Sequence, residues 1–211
     1  MIFKVTHPVS NGVLFVISAP SGCGKTSLVK ALIKKIDHLC VSVSHTTRAT
    51  RLGEVQGENY FFVSKDEFNK IKNRNGFIES AQVFDNDYGS AKQSVQNLLN
   101  NGSDVILEID WQGFRQVKQT FNHSVGIFIL PPSQAALKER LTNRGQDKQS
   151  IIDRRMHDAA NEMQHFNEFD YLVINDNFDV ALNDLSTIVQ AERLTLAQQS
   201  NKHRDLLKTL I

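Results

Sequence analysis

The eight residues Ala19-Pro20-Ser21-Gly22-Cys23-Gly24-Lys25-Thr26 constrain this chain most, because of what flanks them. An apolar run, 13–18, leads directly into them, and a helix-like stretch, 27–35, leads out. A strand that empties through a glycine-rich turn into a helix brings successive backbone N–H groups onto one point. The helix adds the positive end of its dipole, so the turn is built to hold an anion. Gly22 and Gly24 allow the tight path. Lys25 can reach the β- and γ-phosphates of a nucleoside triphosphate, and the Thr26 hydroxyl can bind Mg²⁺. One position departs from GxxxxGK[ST]: Ala19 stands where the first glycine is usual, and alanine disfavours φ > 0 there. A glycine-rich turn without a ligand is the competing reading, but it leaves the ordered sequence of strand, loop, Lys-Thr and helix unexplained.

Four apolar runs, 13–18, 105–109, 125–130 and 171–174, are continuous rather than alternating, which suits strands buried on both faces of a parallel sheet. Helix-like stretches fall at 27–35, 134–144, 151–169 and 180–199. Strands alternating with helices predict an α/β fold of the P-loop NTPase kind, a central parallel sheet flanked by helices. The stretch 44–90 reads differently. Its short aromatic pieces, such as Asn59-Tyr60-Phe61-Phe62-Val63, are punctuated by Gly53, Gly57, Gly76 and Gly89, which predicts a small, partly β insert. A charged helical region after Pro131-Pro132 reads as a lid over 133–160. The core is then discontinuous: 1–43, 91–132 and 161–211.

The 211 residues carry a formal net charge of +1, so no whole-molecule field points to nucleic acid or an anionic membrane, and any bound anion must be held locally. The two cysteines, Cys23 and Cys40, form no CxxC pair and no zinc spacing, which fits a reducing compartment. No signal-peptide pattern and no bilayer-length apolar run is present, so a cytoplasmic location is expected.

Beyond the glycine-rich turn, the chain has Ser44-His45-Thr46-Thr47-Arg48, then Arg51, then Gly53-Glu54-Val55-Gln56-Gly57-Glu58-Asn59-Tyr60-Phe61-Phe62. It also has Ile109-Asp110-Trp111-Gln112-Gly113 and Arg144-Gly145-Gln146-Asp147. Together these closely resemble bacterial-type guanylate kinase, from about Val13 to the last helix. The resemblance implies Mg²⁺-dependent phosphoryl transfer from ATP to GMP, and to dGMP, with these small molecules as partners. Whether copies of the chain associate is not legible. It implies ATP binding by Ala19, Pro20, Ser21, Gly22, Cys23, Gly24, Lys25, Thr26, Ser27 and Asn175. It places the GMP phosphate on Ser44, Arg48, Arg51, Tyr60 and Tyr88, and the guanine on Glu79, Ser90 and Asp110. Lys25 and the lid arginines Arg140, Arg144 and Arg155 become the catalytic cations.

Elementary chemistry agrees. Two arginines and a tyrosine offer charge-assisted hydrogen bonds to a phosphate dianion. Guanine presents N1–H and N2–H₂ side by side, matching the two oxygens of a carboxylate, whereas adenine would leave that carboxylate unpaired. The plainer readings are a solvated basic loop for Arg48 and Arg51, ring packing for Tyr60 and Tyr88, and exposed helix charges for the lid arginines. Arg154 is assigned to solvent. Glu108 is a second departure, standing where the family commonly has Asp, and is read as supporting a Mg²⁺ site, with its extra methylene changing its reach to the ion or to a Mg²⁺-bound water. Asn175-Asp176 reads equally as a turn that caps the next helix. Cys23 is read as a small loop filler, with thiol reactivity as the sharper alternative.

Overall fold

Residues 12–83, 85–143 and 149–210 are described by the computed structural model. The apolar run before the glycine-rich turn is strand β1, Leu14–Ser18, buried along its whole length. Its alternate side chains serve two separate cores. Phe15 and Ile17 join Leu28, Leu32, Ile127 and Leu185 on one face, while Leu14 and Val16 join Val95, Leu107, Phe114 and Val117 on the other. A strand that must be apolar on both faces cannot alternate, which is why the run reads as continuous.

In chain order the elements that follow are α1 (Lys25–Lys35), β2 (Leu39–Val41), β3 (His45–Thr46) and β4 (Phe61–Phe62). Then come α2 (Lys65–Asn73), β5 (Phe77–Val83), β6 (Asn86–Ala91), α3 (Lys92–Asn100) and β7 (Asp104–Glu108). The remainder comprises α4 (Trp111–Thr120), β8 (Val125–Leu130), α5 (Gln134–Asn143), α6 (Gln149–Met163), β9 (Tyr171–Ile174), α7 (Phe178–Arg193), α8 (Leu196–Lys202) and α9 (Arg204–Leu210). Among the described residues no helix is long and apolar enough to cross a membrane.

The main sheet has the order β2-β7-β1-β8-β9, and every pairing in it is parallel. Phe15 stands opposite Ile106 on one side and Val125 on the other. β1 therefore lies between strands reached by different crossovers, the place where open α/β sheets leave a crevice at their C-terminal ends. Close packing is tight around β8: a Cβ at Gly126 would lie 2.3 Å from Phe114 Cζ, so only glycine lets that ring lie against the strand.

The second sheet, β4-β3-β6-β5, is mixed, with β3 parallel to β4 and antiparallel to β6. It contains a helix that the aromatic pattern does not announce. α2 starts at a capping box in which Ser64 Oγ accepts from the Glu67 N–H and Glu67 Oε2 accepts from the Ser64 N–H.

Four sequence expectations change. The main sheet has a fifth strand, β2, which is too short to stand out as an apolar run. Helices α3 and α4 lie where none was read. The helix expected over 151–169 ends at Met163, and a short 3₁₀ turn, Phe166–Glu168, follows. There His165 stacks on Trp111 with ring centroids 3.6 Å apart, and Glu168 is drawn onto Arg115, so tertiary contacts override the helical pattern. The helix expected over 180–199 breaks after Arg193, whose guanidinium is held by Asp104 Oδ2 at 2.7 Å and the Asp37 carbonyl.

Candidate active site

A cleft of about 540 Å³ opens at the C-terminal ends of β1 and β7 and is walled on its far side by the small sheet. Every residue from Ala19 to Ser27 lines it, together with Ser44, Tyr60, Glu79, Tyr88, Glu108 and Asp110. Residues far apart in sequence thus meet around one space. Arg48, Arg51, Ser90, Arg140, Arg155 and Asn175 are not among the lining residues, and Arg144 lies outside the described residues.

The loop has the form its glycines require. Gly22 and Gly24 have φ of 94° and 86°, in the left-handed region, and Gly24 precedes the first turn of α1. No acidic side chain occupies that first turn, so the helix N-terminus keeps its positive field for a ligand. Among the described non-glycine residues only His38, Asn75 and Asp85 have positive φ, so Ala19 carries no backbone strain. Lys25 is half-buried. Burial lowers its pKa, while the charges of Glu108, Glu162 and Asp110 oppose that shift.

Thr26 Oγ1 donates to Glu108 Oε2 at 3.2 Å, which brings a hydroxyl and a carboxylate together beside the phosphate loop. Both are hard oxygen donors, the class Mg²⁺ takes, and a Mg²⁺ ion on phosphates needs only one or two protein groups. The longer side chain of Glu108 therefore still reaches Thr26.

On the wall formed by the small sheet, Glu79 from β5 is buried, and Ser90 Oγ donates to its Oε1 at 2.7 Å. Ser90 thus stands behind the carboxylate, and Ser44 Oγ lies 3.4 Å from Ser90 Oγ. Burial pushes the Glu79 pKa up, the Ser90 hydrogen bonds pull it back, and the charge of Asp110 raises it further. Asp110 caps α4 by accepting the Gly113 N–H at 2.8 Å while it lines the cleft.

The residues expected to hold the GMP phosphate are partly assembled. Arg48 Nη2 pairs with Glu54 Oε1 at 2.7 Å, and Nη1 donates to the Ala49 carbonyl. Its guanidinium carbon lies 5.5 Å from the Tyr60 ring centre, and Tyr60 and Tyr88 meet edge to face at 5.9 Å. Arg51 is exposed, and its backbone N–H donates to Glu54 Oε2. Glu54 therefore organises both arginines, a role the sequence did not assign.

The chain is similar to known proteins along nearly its whole length. The family model described as guanylate kinase matches residues 11–192. The guanylate kinase of Pseudoalteromonas translucida is 54% identical over 202 residues, covering 96% of this chain and 98% of that protein. That of Escherichia coli is 49% identical over 205 residues, covering 96% and 99%. The crystal structure of guanylate kinase from Anaplasma phagocytophilum superposes with a TM-score of 0.72 at 33% identity, covering 90% of each chain. The chain belongs to the guanylate kinase family.

Within this guanylate kinase framework, α5 and α6 pack on the phosphate loop. Cys23 is fully buried with Leu137, Leu141, Ile152 and Ala159. Burial raises its thiol pKa to about 12 despite the nearby charge of Arg140, which agrees with its packing as a filler of that core. Arg140 donates from Nη2 to the Asn175 carbonyl at 2.9 Å. Arg155 is half-buried on α6, and Arg154 lies exposed 3.9 Å from Asp158. Asn175 does not cap α7; Asn177 does, accepting the N–H groups of Asp179 and Val180.

Glu162, like Glu54, is a residue that sequence reasoning missed. It lines the cleft from α6, two turns beyond Arg155 on the same helical face, a spacing that could have singled it out. Burial and the charge of Asp110 raise its pKa, while Lys25 and the Ser21 N–H oppose the rise.

Proposed function

We propose that this chain transfers the γ-phosphoryl group of ATP to GMP, and to dGMP, giving ADP and GDP or dGDP. The observation that carries this reading is the buried Glu79 carboxylate lining the same cleft as the phosphate loop. A carboxylate held out of water beside a triphosphate cradle selects an acceptor with two adjacent donors, and guanine has them.

The reading assigns the loop N–H groups and Lys25 to the ATP phosphates, with Arg140, Arg144 and Arg155 neutralising charge that develops on the transferred group. Ser44, Arg48, Arg51, Tyr60 and Tyr88 receive the GMP phosphate. Glu79 takes the guanine donors, held by Ser90, with Asp110 alongside. Thr26, with Glu108 hydrogen-bonded to it, would hold Mg²⁺, which would supply charge neutralisation for the phosphates. The rest of catalysis is alignment and exclusion of water.

In domain terms, 44–90 serves as the GMP-binding insert and 133–160 as the lid on a core of 1–43, 91–132 and 161–211. The setting is cytoplasmic purine nucleotide metabolism, recycling GMP.

The test is a coupled assay offering GMP, dGMP, AMP and UMP with MgATP. GMP and dGMP are expected to turn over fastest. Faster turnover of AMP or UMP than of GMP would sink the assignment.

A further inference from the structure

Asn175 follows β9 directly, and its backbone N–H extends the ladder by donating to the Leu130 carbonyl at 2.8 Å. Its side chain is buried and committed inward: Nδ2 donates to the Cys23 carbonyl, in the middle of the phosphate loop, at 2.7 Å. Its own carbonyl accepts from Arg140 Nη2 at 2.9 Å. One residue therefore bonds the loop through its side chain and an α5 arginine through its main chain. The approach to the loop is close. A Cβ at Gly24 would lie 2.6 Å from Asn175 Nδ2, so the glycine makes room for this amide as well as for the turn.

Arg140 is held from one side only. With Nη2 on Asn175, Nη1 is buried and has no acceptor among the described residues. A buried guanidinium N–H left without an acceptor is unfavourable, and solvent does not set its direction. Its orientation is imposed by the Asn175 carbonyl, and its charge is felt at Cys23 within the loop.

We infer that Asn175 is a positioning residue that fixes Arg140 relative to the phosphate loop, so that loop and arginine meet one phosphate chain at a set separation. This rests on Arg140 acting on the ATP phosphates, as proposed above. It differs from an adenine contact, for which the side-chain amide would have to leave Cys23.

The test uses the full chain with four proteins: the parent, Asn175→Ala, Arg140→Ala and the double variant. Each is assayed with GMP as acceptor and with MgATP or MgITP as donor, since ITP lacks the 6-amino group of adenine. Asn175→Ala is expected to lower kcat roughly ten- to a hundredfold, equally with both donors, and to leave the KM for GMP within about twofold. In the Arg140→Ala background the same change should cost no more than about twofold. A loss that multiplies in full in that background overturns the inference. So does a loss confined to ATP, which would make Asn175 an adenine contact. Arg140→Ala with unchanged kcat removes the Arg140 assignment itself; a slow Arg140→Ala beside a fully active Asn175→Ala removes only the positioning role. Thermal melts check folding. Asn175→Asp, nearly isosteric but presenting oxygen to the Cys23 carbonyl, carries the same test where Asn175→Ala does not fold.

Discussion

Burying a carboxylate costs free energy unless its oxygens find donors, and Glu79 has been given them mainly on one side. Ser90 satisfies Oε1, whereas Oε2 lies beside Gly113, where a Cβ would sit 3.3 Å from it. The raised pKa records that cost. Its sign fixes a pH dependence: the folded state holds the Glu79 proton more tightly than the unfolded state, whose value is near 4.5. The cost is therefore absent below that value, develops as pH rises through the higher folded value, and is complete above it. Glu79→Gln should accordingly melt at a higher temperature than the parent at pH 7, with the difference shrinking as pH falls towards 4.5. The same variant should lose at least about a hundredfold in kcat/KM for GMP, because an amide cannot accept both guanine donors. Melting curves across pH, paired with kinetics, check both halves; an unchanged kcat/KM would separate Glu79 from the base.

Elements position the site through packing more than through hydrogen bonds. The hairpin of α5 and α6 encloses Cys23 with Leu137, Leu141, Ile152 and Ala159, and Leu141 Cδ2 would lie 2.9 Å from a Cβ at Gly22. The phosphate loop therefore rests on an apolar floor made by helices that also carry Arg140 and Arg155. Leu141→Ala should destabilise the protein by about 2–5 kcal/mol through the cavity it leaves. It should also weaken ATP binding more than GMP binding, since the floor lies under the loop and away from the small sheet. Denaturant titration and binding calorimetry with each nucleotide measure this. Equal weakening of both would mean the cavity acts on global stability alone.

At the scale of the whole molecule, the cleft is shared by two sheets that do not pair with each other. Under the proposed function, ATP on the parallel sheet and GMP on the mixed sheet would have to bring their phosphates together while water is excluded. We expect the radius of gyration to fall when both nucleotides, or a bisubstrate analogue, are present. Scattering profiles that stay identical would argue against closure.

Much of this was legible in the chain itself. Both-face burial makes β1 and β8 apolar throughout and β7 apolar between its end residues, so local pattern was enough to reveal the α/β class, and Gly22, Gly24, Lys25 and Thr26 carry their chemistry within one turn. β9, read the same way, lies at the sheet edge with Leu172 and Ile174 exposed, so its apolar run does not record burial on both faces. Short elements were not legible: β2 has three residues, and α6 stops where Trp111 and Arg115 claim the following turn. Nor was the division of labour within the site. Glu79 needed Ser90 to become a held, buried carboxylate, and Glu162 needed a folded α6 to reach the cleft. Asn175 needed Cys23 and Arg140 from distant segments before it became a link between them. The glycine-rich turn shows both sides of this. Its anion-binding form follows from its own residues, because backbone geometry is local. What it rests on, and which charges face it, were decided by tertiary packing, because burial and electrostatic contact depend on segments that only the fold brings together.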